Sequence, residues 1–208
     1  LVIFSLFFTP GQAQAGAIIV TANEAQPDFP DHVTFHIAAQ ADTAIDRVVL
    51  IYGITADRCL NSQARHEMIF DPAPGVDLNW DWDLFRSGDL PPGVEIWWQW
   101  EIYAANGVQI VTDIQRLTIE DPNFRWKTIT QGQITVFWAD GSYAFGASLL
   151  DIAVKGLDRL ARTSGIAPTG SIRLIIYPTT NDLIASLEHT TAWMGGVAFA
   201  EYRIVMIA

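Results

Sequence analysis

Cysteine is almost absent from this chain. Cys59 is the only one, so no internal disulfide can form and the fold must be held by packing. Basic charge is scarce too: 12 lysines and arginines face 23 acidic residues, a net charge of −11 that argues against nucleic acid or anionic lipid as a partner. No apolar run approaches the roughly 20 residues a membrane-spanning helix needs. What is plentiful is apolar and aromatic material. Half of the residues are hydrophobic and eight are tryptophan, enough for a core without cross-links.

A metal motif is also missing. The stretch NSQARHEMIF carries His66-Glu67, the first two letters of HExxH, in which two histidines four apart on a helix bind zinc and the glutamate acts as base. Position 70 is Phe70, not a second histidine, and Asp71-Pro72-Ala73-Pro74-Gly75 follows at once and would end any helix. His66-Glu67 therefore reads as a polar strand or loop end.

The N-terminus is a short apolar run, LVIFSLFF, closed by Thr9-Pro10-Gly11. Ala13-Gln14-Ala15 then matches a small-x-small cleavage site, with Gly16 the first mature residue. Residues 1–15 read as a signal peptide whose charged start is missing, and the mature protein as exported, secreted or at the cell surface. Cys59 is expected to be buried and inert.

Charge divides the chain. Residues 16–120 hold 16 acidic and 5 basic residues, whereas residues 121–208 hold 7 of each. Over the first of these segments the dominant signal is alternation with period two. In VDLNWDWDL, Val76, Leu78, Trp80, Trp82 and Leu84 share one face and Asp77, Asn79, Asp81 and Asp83 the other. VEIWWQWEIYA places Val94, Ile96, Trp98, Trp100 and Ile102 inward, after a Pro91-Pro92-Gly93 turn. DHVTFHIAA, IDRVVLIYGI and VQIVTDIQRLTI supply further strands. About seven short strands without helical period predict an immunoglobulin-like or fibronectin-like β-sandwich over residues 16–120.

Three features there invite a functional reading. Asp77, Asp81 and Asp83 put carboxylates on one strand face, a feature that invites a calcium reading, yet they lack a looped ligand arrangement and read as a solvated face. His32 and His36 share a strand face roughly 13 Å apart, too far to chelate one ion. The tryptophans point inward as core, except Trp97, which faces out.

Beyond Asp121-Pro122 the period changes. QITVFW is a strand, Ser142 caps an amphipathic helix that buries Phe145, Leu149, Ile152, Ala153, Leu157 and Leu160, and Gly165 ends it. SIRLIIYP is a strongly apolar strand, a short helix capped by Thr180 or Asn181 follows, and VAFAEYRIVMIA supplies one bent strand or two short ones. This is an α/β layer with one long helix, too little to cover both faces of so apolar a sheet.

The order NFRWKTIT, ITVFWADGSYAFGASLLDIAVKGLDRLARTSG, SIRLIIYPTTNDLIASL, WMGGVAFAEYRIVMI resembles the N-terminal part of the peptidase MA-like domain, a gluzincin zinc-peptidase family of exported bacterial proteins. The LPPG hairpin and the DPNFRW junction are similar as well. The resemblance implies a multidomain protein: an all-β sandwich, then an incomplete α/β, zincin-like subdomain over residues 121–208, cut before HExxH. Zinc is implied for the full-length protein and none for this fragment, in which no catalytic or metal residue can be named. It further implies that residues 195–200 form an edge strand lining a cleft for a peptide or protein substrate, with Gly195, Gly196, Val197 and Ala198 as substrate-binding residues. The plainer alternative is a glycine turn before a buried strand. Two functions follow: the N-terminal fragment of an exported zinc-dependent metallopeptidase, inactive alone, or a non-catalytic cell-surface binding or adhesion protein with a sandwich module. Ser142, Ser148, Ser164 and His189 lack the context of a nucleophilic triad.

Overall fold

A computed structural model describes residues 16–55, 63–84, 86, 88, 90–165, 169–187 and 194–208. Residues 1–15, read above as a signal peptide, Cys59 and His189 lie outside these residues.

The first sheet has seven strands: β1 (Ile19–Asp28), β2 (His32–Ile54), β3 (Gln63–Glu67), β4 (Ala73–Asp83), β5 (Glu95–Ala104), β6 (Gln109–Val111) and β7 (Gln115–Thr118). At 23 residues, β2 organises all the rest. Its first half pairs with β1 on one side and β4 on the other, and its second half pairs with β5 and β3. The sheet curls so that these halves face each other. Trp98 on β5 donates its indole N–H to Asn23 Oδ1 on β1 at 2.8 Å, and the Phe35 ring lies 5.6 Å from Trp98. Val33, Phe35, Ile37, Ile96, Trp100 and Ile102 are fully buried between them, as the alternation predicts.

The expected sandwich is thereby corrected. An immunoglobulin or fibronectin fold stacks two separate sheets, whereas here both layers belong to one curled, half-barrel sheet that runs through β2. The reason lies at residues 38–44, Ala-Ala-Gln-Ala-Asp-Thr-Ala, where no glycine or proline permits a tight turn. DHVTFHIAA and IDRVVLIYGI consequently join into one strand that bends, with a register shift against β4 between Gln40 and Ile45.

The second sheet is mixed. Its strands are β8 (Lys127–Gln131), β9 (Ile134–Trp138), β10 (Ile172–Ile176), β11 (Gly196–Phe199) and β12 (Ile204–Ile207), in the order β11-β12-β10-β9-β8. β9, β10 and β12 run parallel, while β8 and β11 are antiparallel edges. β8 is a strand that the sequence reading passed over; it forms a hairpin with β9 through Gly132 at φ 59°.

Two helices accompany this sheet. In α1 (Tyr143–Ser164), Ser142 Oγ accepts the amide of Phe145 at 3.3 Å, and Gly165 at φ 70° donates to Ala161 O, so both ends are closed as predicted. The buried stripe is rotated from the one expected. Gly146, Leu149, Leu150, Ala153, Val154 and Leu157 face the sheet, while Phe145, Ile152 and Leu160 stay 44%, 67% and 55% exposed. Gly146 sets this rotation, because the Trp138 ring packs where a Cβ would be: it would lie 2.5 Å from that ring. α2 (Thr180–Ala185) is capped one residue earlier than expected, by Thr179 Oγ1 accepting from the amide of Asp182 at 3.2 Å.

The second half of the expected fold class, an incomplete zincin-like subdomain lacking a cover, is also overturned. α1 covers one face of the sheet over Ile134, Val136 and Trp138. On the opposite face Ile175, Tyr177, Ile204 and Met206 belong to one continuous cluster with Leu90, Val94 and Ile119 from the first sheet's side and Leu183 of α2. The missing cover is the first sheet itself.

Gly146→Ala should lower the free energy of unfolding by about 1–3 kcal/mol, since the added methyl overpacks Trp138. Gly156→Ala, at a helical site with no heavy atom within 4 Å of the new methyl, should raise it by roughly 0.5–1 kcal/mol. Urea denaturation of the two variants checks both signs.

Candidate functional site

The residues named from the sequence as substrate-binding all fall together at one sheet edge. Gly196, Val197 and Ala198 lie in β11, Gly195 precedes it, and β11 returns as β12 through a turn over residues 200–203 with Arg203 at φ 54°. The amide of Ala208 donates to Gly195 O at 3.2 Å, so Gly195 faces β12. By the alternation of an antiparallel pair, Val197 also faces inward, and the N–H and C=O of Gly196 and Ala198 point away from the sheet. Those are the groups another strand would use.

Edge strands are commonly guarded by charge, proline or bulges. β1 carries Glu24, Pro27, Asp28 and a bulge; β3, β4, β7 and β8 all carry charged residues. Among the described edges only β11 and the three-residue β6 have neither charge nor proline. The two glycines differ in role. A Cβ at Gly196 would lie 2.8 Å from Ile207 Cγ2, so this glycine is required by the hairpin, whereas Gly195 has open space around it. Val197 and Phe199 pack towards the shared core, and Phe199 stacks on Tyr202 at 6.5 Å.

A second concave place lies at the junction of the sheets. Asp121, 2% exposed, accepts the Tyr177 hydroxyl at Oδ2 (3.0 Å) and the Asn123 amide at Oδ1 (2.9 Å), while its carbonyl takes the Trp126 indole N–H at 3.0 Å. Burial, reinforced by the Asp121 carboxylate, pushes the Tyr177 hydroxyl far above the ordinary phenol range and keeps it a donor. Beside this knot a cavity of about 190 Å³ is lined by Pro92, Glu120, Trp126, Phe137, Arg173 and Ile175, among others. The sequence reading missed it. The available signal was Arg173, the sole charge within SIRLIIYP.

The histidines and aspartates of the first sheet take structural roles. His66 and Glu67 end strand β3, and the His66 ring stacks on Trp80 at 4.5 Å. His36 bridges two strands, with Nδ1 3.2 Å from Glu24 Oε1 and Nε2 2.9 Å from Asp77 Oδ1. His32 lies 3.9 Å from Asp28. Among the described residues no three His, Cys, Asp or Glu side chains are grouped so as to hold a metal ion. No helix among them is long and apolar enough to cross a membrane.

No family model matches the chain, and no curated protein matches it. Among solved structures, a polysaccharide deacetylase from Bacillus cereus aligns at a TM-score of 0.37 and 11% identity, over 82% of this chain and 53% of that one. The chain thus spans about half the length of that structure, and so low a TM-score carries neither fold nor function across. The peptidase MA-like resemblance is corrected by these results: no match supports it, and the sandwich-plus-subdomain architecture it implied is absent. Zinc-dependent peptide hydrolysis falls with it. The adhesion reading rested on the sandwich module and falls for the same reason.

His36 offers a pH test of the acidic face. Burial disfavours its charged form, but the hydrogen bonds to Asp77 and Glu24 outweigh burial and raise its pKa above 6.5. Its contribution to stability is therefore complete below pH 6.5 and is lost as pH rises through the higher folded-state value. Asp77→Asn should cost more stability near pH 6 than near pH 8, as read from denaturation midpoints. An equal cost at both would contradict the bridge.

Proposed function

We propose that this chain binds an extended peptide segment by strand addition along β11. The observation that carries the reading is the uncharged, proline-free edge on which Gly196 and Ala198 direct their amide and carbonyl groups outward. Main-chain hydrogen bonds from such an edge supply affinity, and side chains on alternate faces supply selectivity. The open space around Gly195 leaves room for an incoming backbone, with Val197 and Phe199 anchoring the strand from the core side. The acidic surface and the leader-like N-terminus support an exported protein that meets other polypeptides rather than nucleic acid.

Phage-displayed random peptides, selected on the chain and then synthesised, provide the assay. Ala198→Pro removes an outward N–H without touching the β12 ladder, because proline is tolerated where an edge N–H faces solvent. It should weaken the selected peptide by more than about tenfold with an unchanged melting temperature. Val197→Pro, which removes an inward N–H, should instead destabilise the hairpin. A peptide held equally well by Ala198→Pro, or a selection that enriches none, would refute strand addition.

A further inference from the structure

Three charged side chains line the junction cavity, Arg173, Glu120 and Asp121, and Arg173 forms an ion pair with neither carboxylate. Arg173 Nη1 donates to Gly93 O at 2.6 Å and the guanidinium lies 5.9 Å from the Phe137 ring centre. One hydrogen bond leaves most of the five N–H donors of an arginine unused. Gly93, at φ 95°, is shaped for this close approach, since a Cβ there would lie 2.6 Å from Nη1. Glu120 is exposed at the rim and has no hydrogen bond or ion pair among the described residues. Although both line the cavity, Arg173 and Glu120 are not within the 4.0 Å of an ion pair. Asp121 keeps its charge, but it is 2% exposed and its two oxygens already accept from Tyr177 and Asn123, so Glu120 is the carboxylate that a ligand's ammonium reaches.

A cavity that offers both free donors and a free carboxylate, lined also by Trp126, Phe137, Ile175 and Pro92, selects its ligand by charge. A simple anion would suit Arg173 and be repelled by Glu120, and a simple cation would meet the reverse. A zwitterion satisfies both. At about 190 Å³ the space is smaller than the pockets of ~300–1,000 Å³ that take drug-sized ligands, and it suits one amino acid. We propose that the cavity binds a free α-amino acid with an apolar side chain. Its carboxylate sits on Arg173, a planar match for a guanidinium, its ammonium faces Glu120, and its side chain lies against Trp126 and Phe137. This inference is independent of the β11 reading.

Calorimetric titration of the full chain with L-leucine, N-acetyl-leucine and leucinamide tests it. Leucine should bind saturably, and each blocked derivative, lacking one of the two charges, should bind at least about tenfold more weakly. Arg173 also ties the sheets together, so the deciding variant is Glu120→Gln at the exposed rim. It should lose about tenfold in leucine affinity with an unchanged melting temperature. No binding of leucine, equal binding of N-acetyl-leucine, or a Glu120→Gln variant that binds leucine as before would each overturn the proposal.

Discussion

The buried carboxylate of Asp121 is the constraint on which the arrangement of the two sheets depends. It sits between the last strand of the curled sheet and the first strand of the mixed one, where a charge without partners would cost several kcal/mol. It is stabilised by a hydroxyl from the second sheet, Tyr177, and by an amide of its own turn, Asn123. The Phe124, Trp126 and Tyr177 rings pack on one another at centroid distances of 5.2–5.5 Å, with Tyr177 edge to face against the other two. Because the Tyr177 hydroxyl lies immediately after β10, satisfying Asp121 fixes how the mixed sheet meets the curled one.

Both candidate sites follow from that docking. With the first sheet covering the face that bears Ile175, Ile204 and Met206, and α1 covering β9 from the other side, the order of strands leaves β11 as an open edge. The same docking brings Arg173 of β10 against Gly93, just before β5, while Glu120, just after β7, stands at the rim, and so creates the cavity between them. Neither site belongs to one sheet alone in its origin, although β11 is reached from one side only.

Much of the local structure was legible in the residues. Alternation placed Trp98, Trp100, Ile96 and Ile102 inside, and the ends of α1 were readable from Ser142 and Gly165, because these depend on contacts close in sequence. That residues 195–200 form an edge strand was implied only by the peptidase resemblance, and the edge position of β11 follows instead from the strand order of the mixed sheet. What was not legible depends on distant partners. Two strand-like segments separated by five residues look like two strands of a sandwich, and only tertiary pairing with β4 and β5 reveals a single bent β2. The stripe of α1 was misjudged because Trp138, in another element, takes the space at Gly146. Arg173 and Glu120, 53 positions apart, share a cavity that no local pattern announces.

If the Asp121 knot joins the sheets into one core, the chain must unfold as a unit. Differential scanning calorimetry of the whole chain measures this directly. The account predicts one transition whose calorimetric and van't Hoff enthalpies agree, shifted down as a single peak by Tyr177→Phe. Two separated transitions in the unmodified protein, with Tyr177→Phe leaving both in place, would mean that the sheets are independent and that neither the shared core nor the cavity between them governs the molecule.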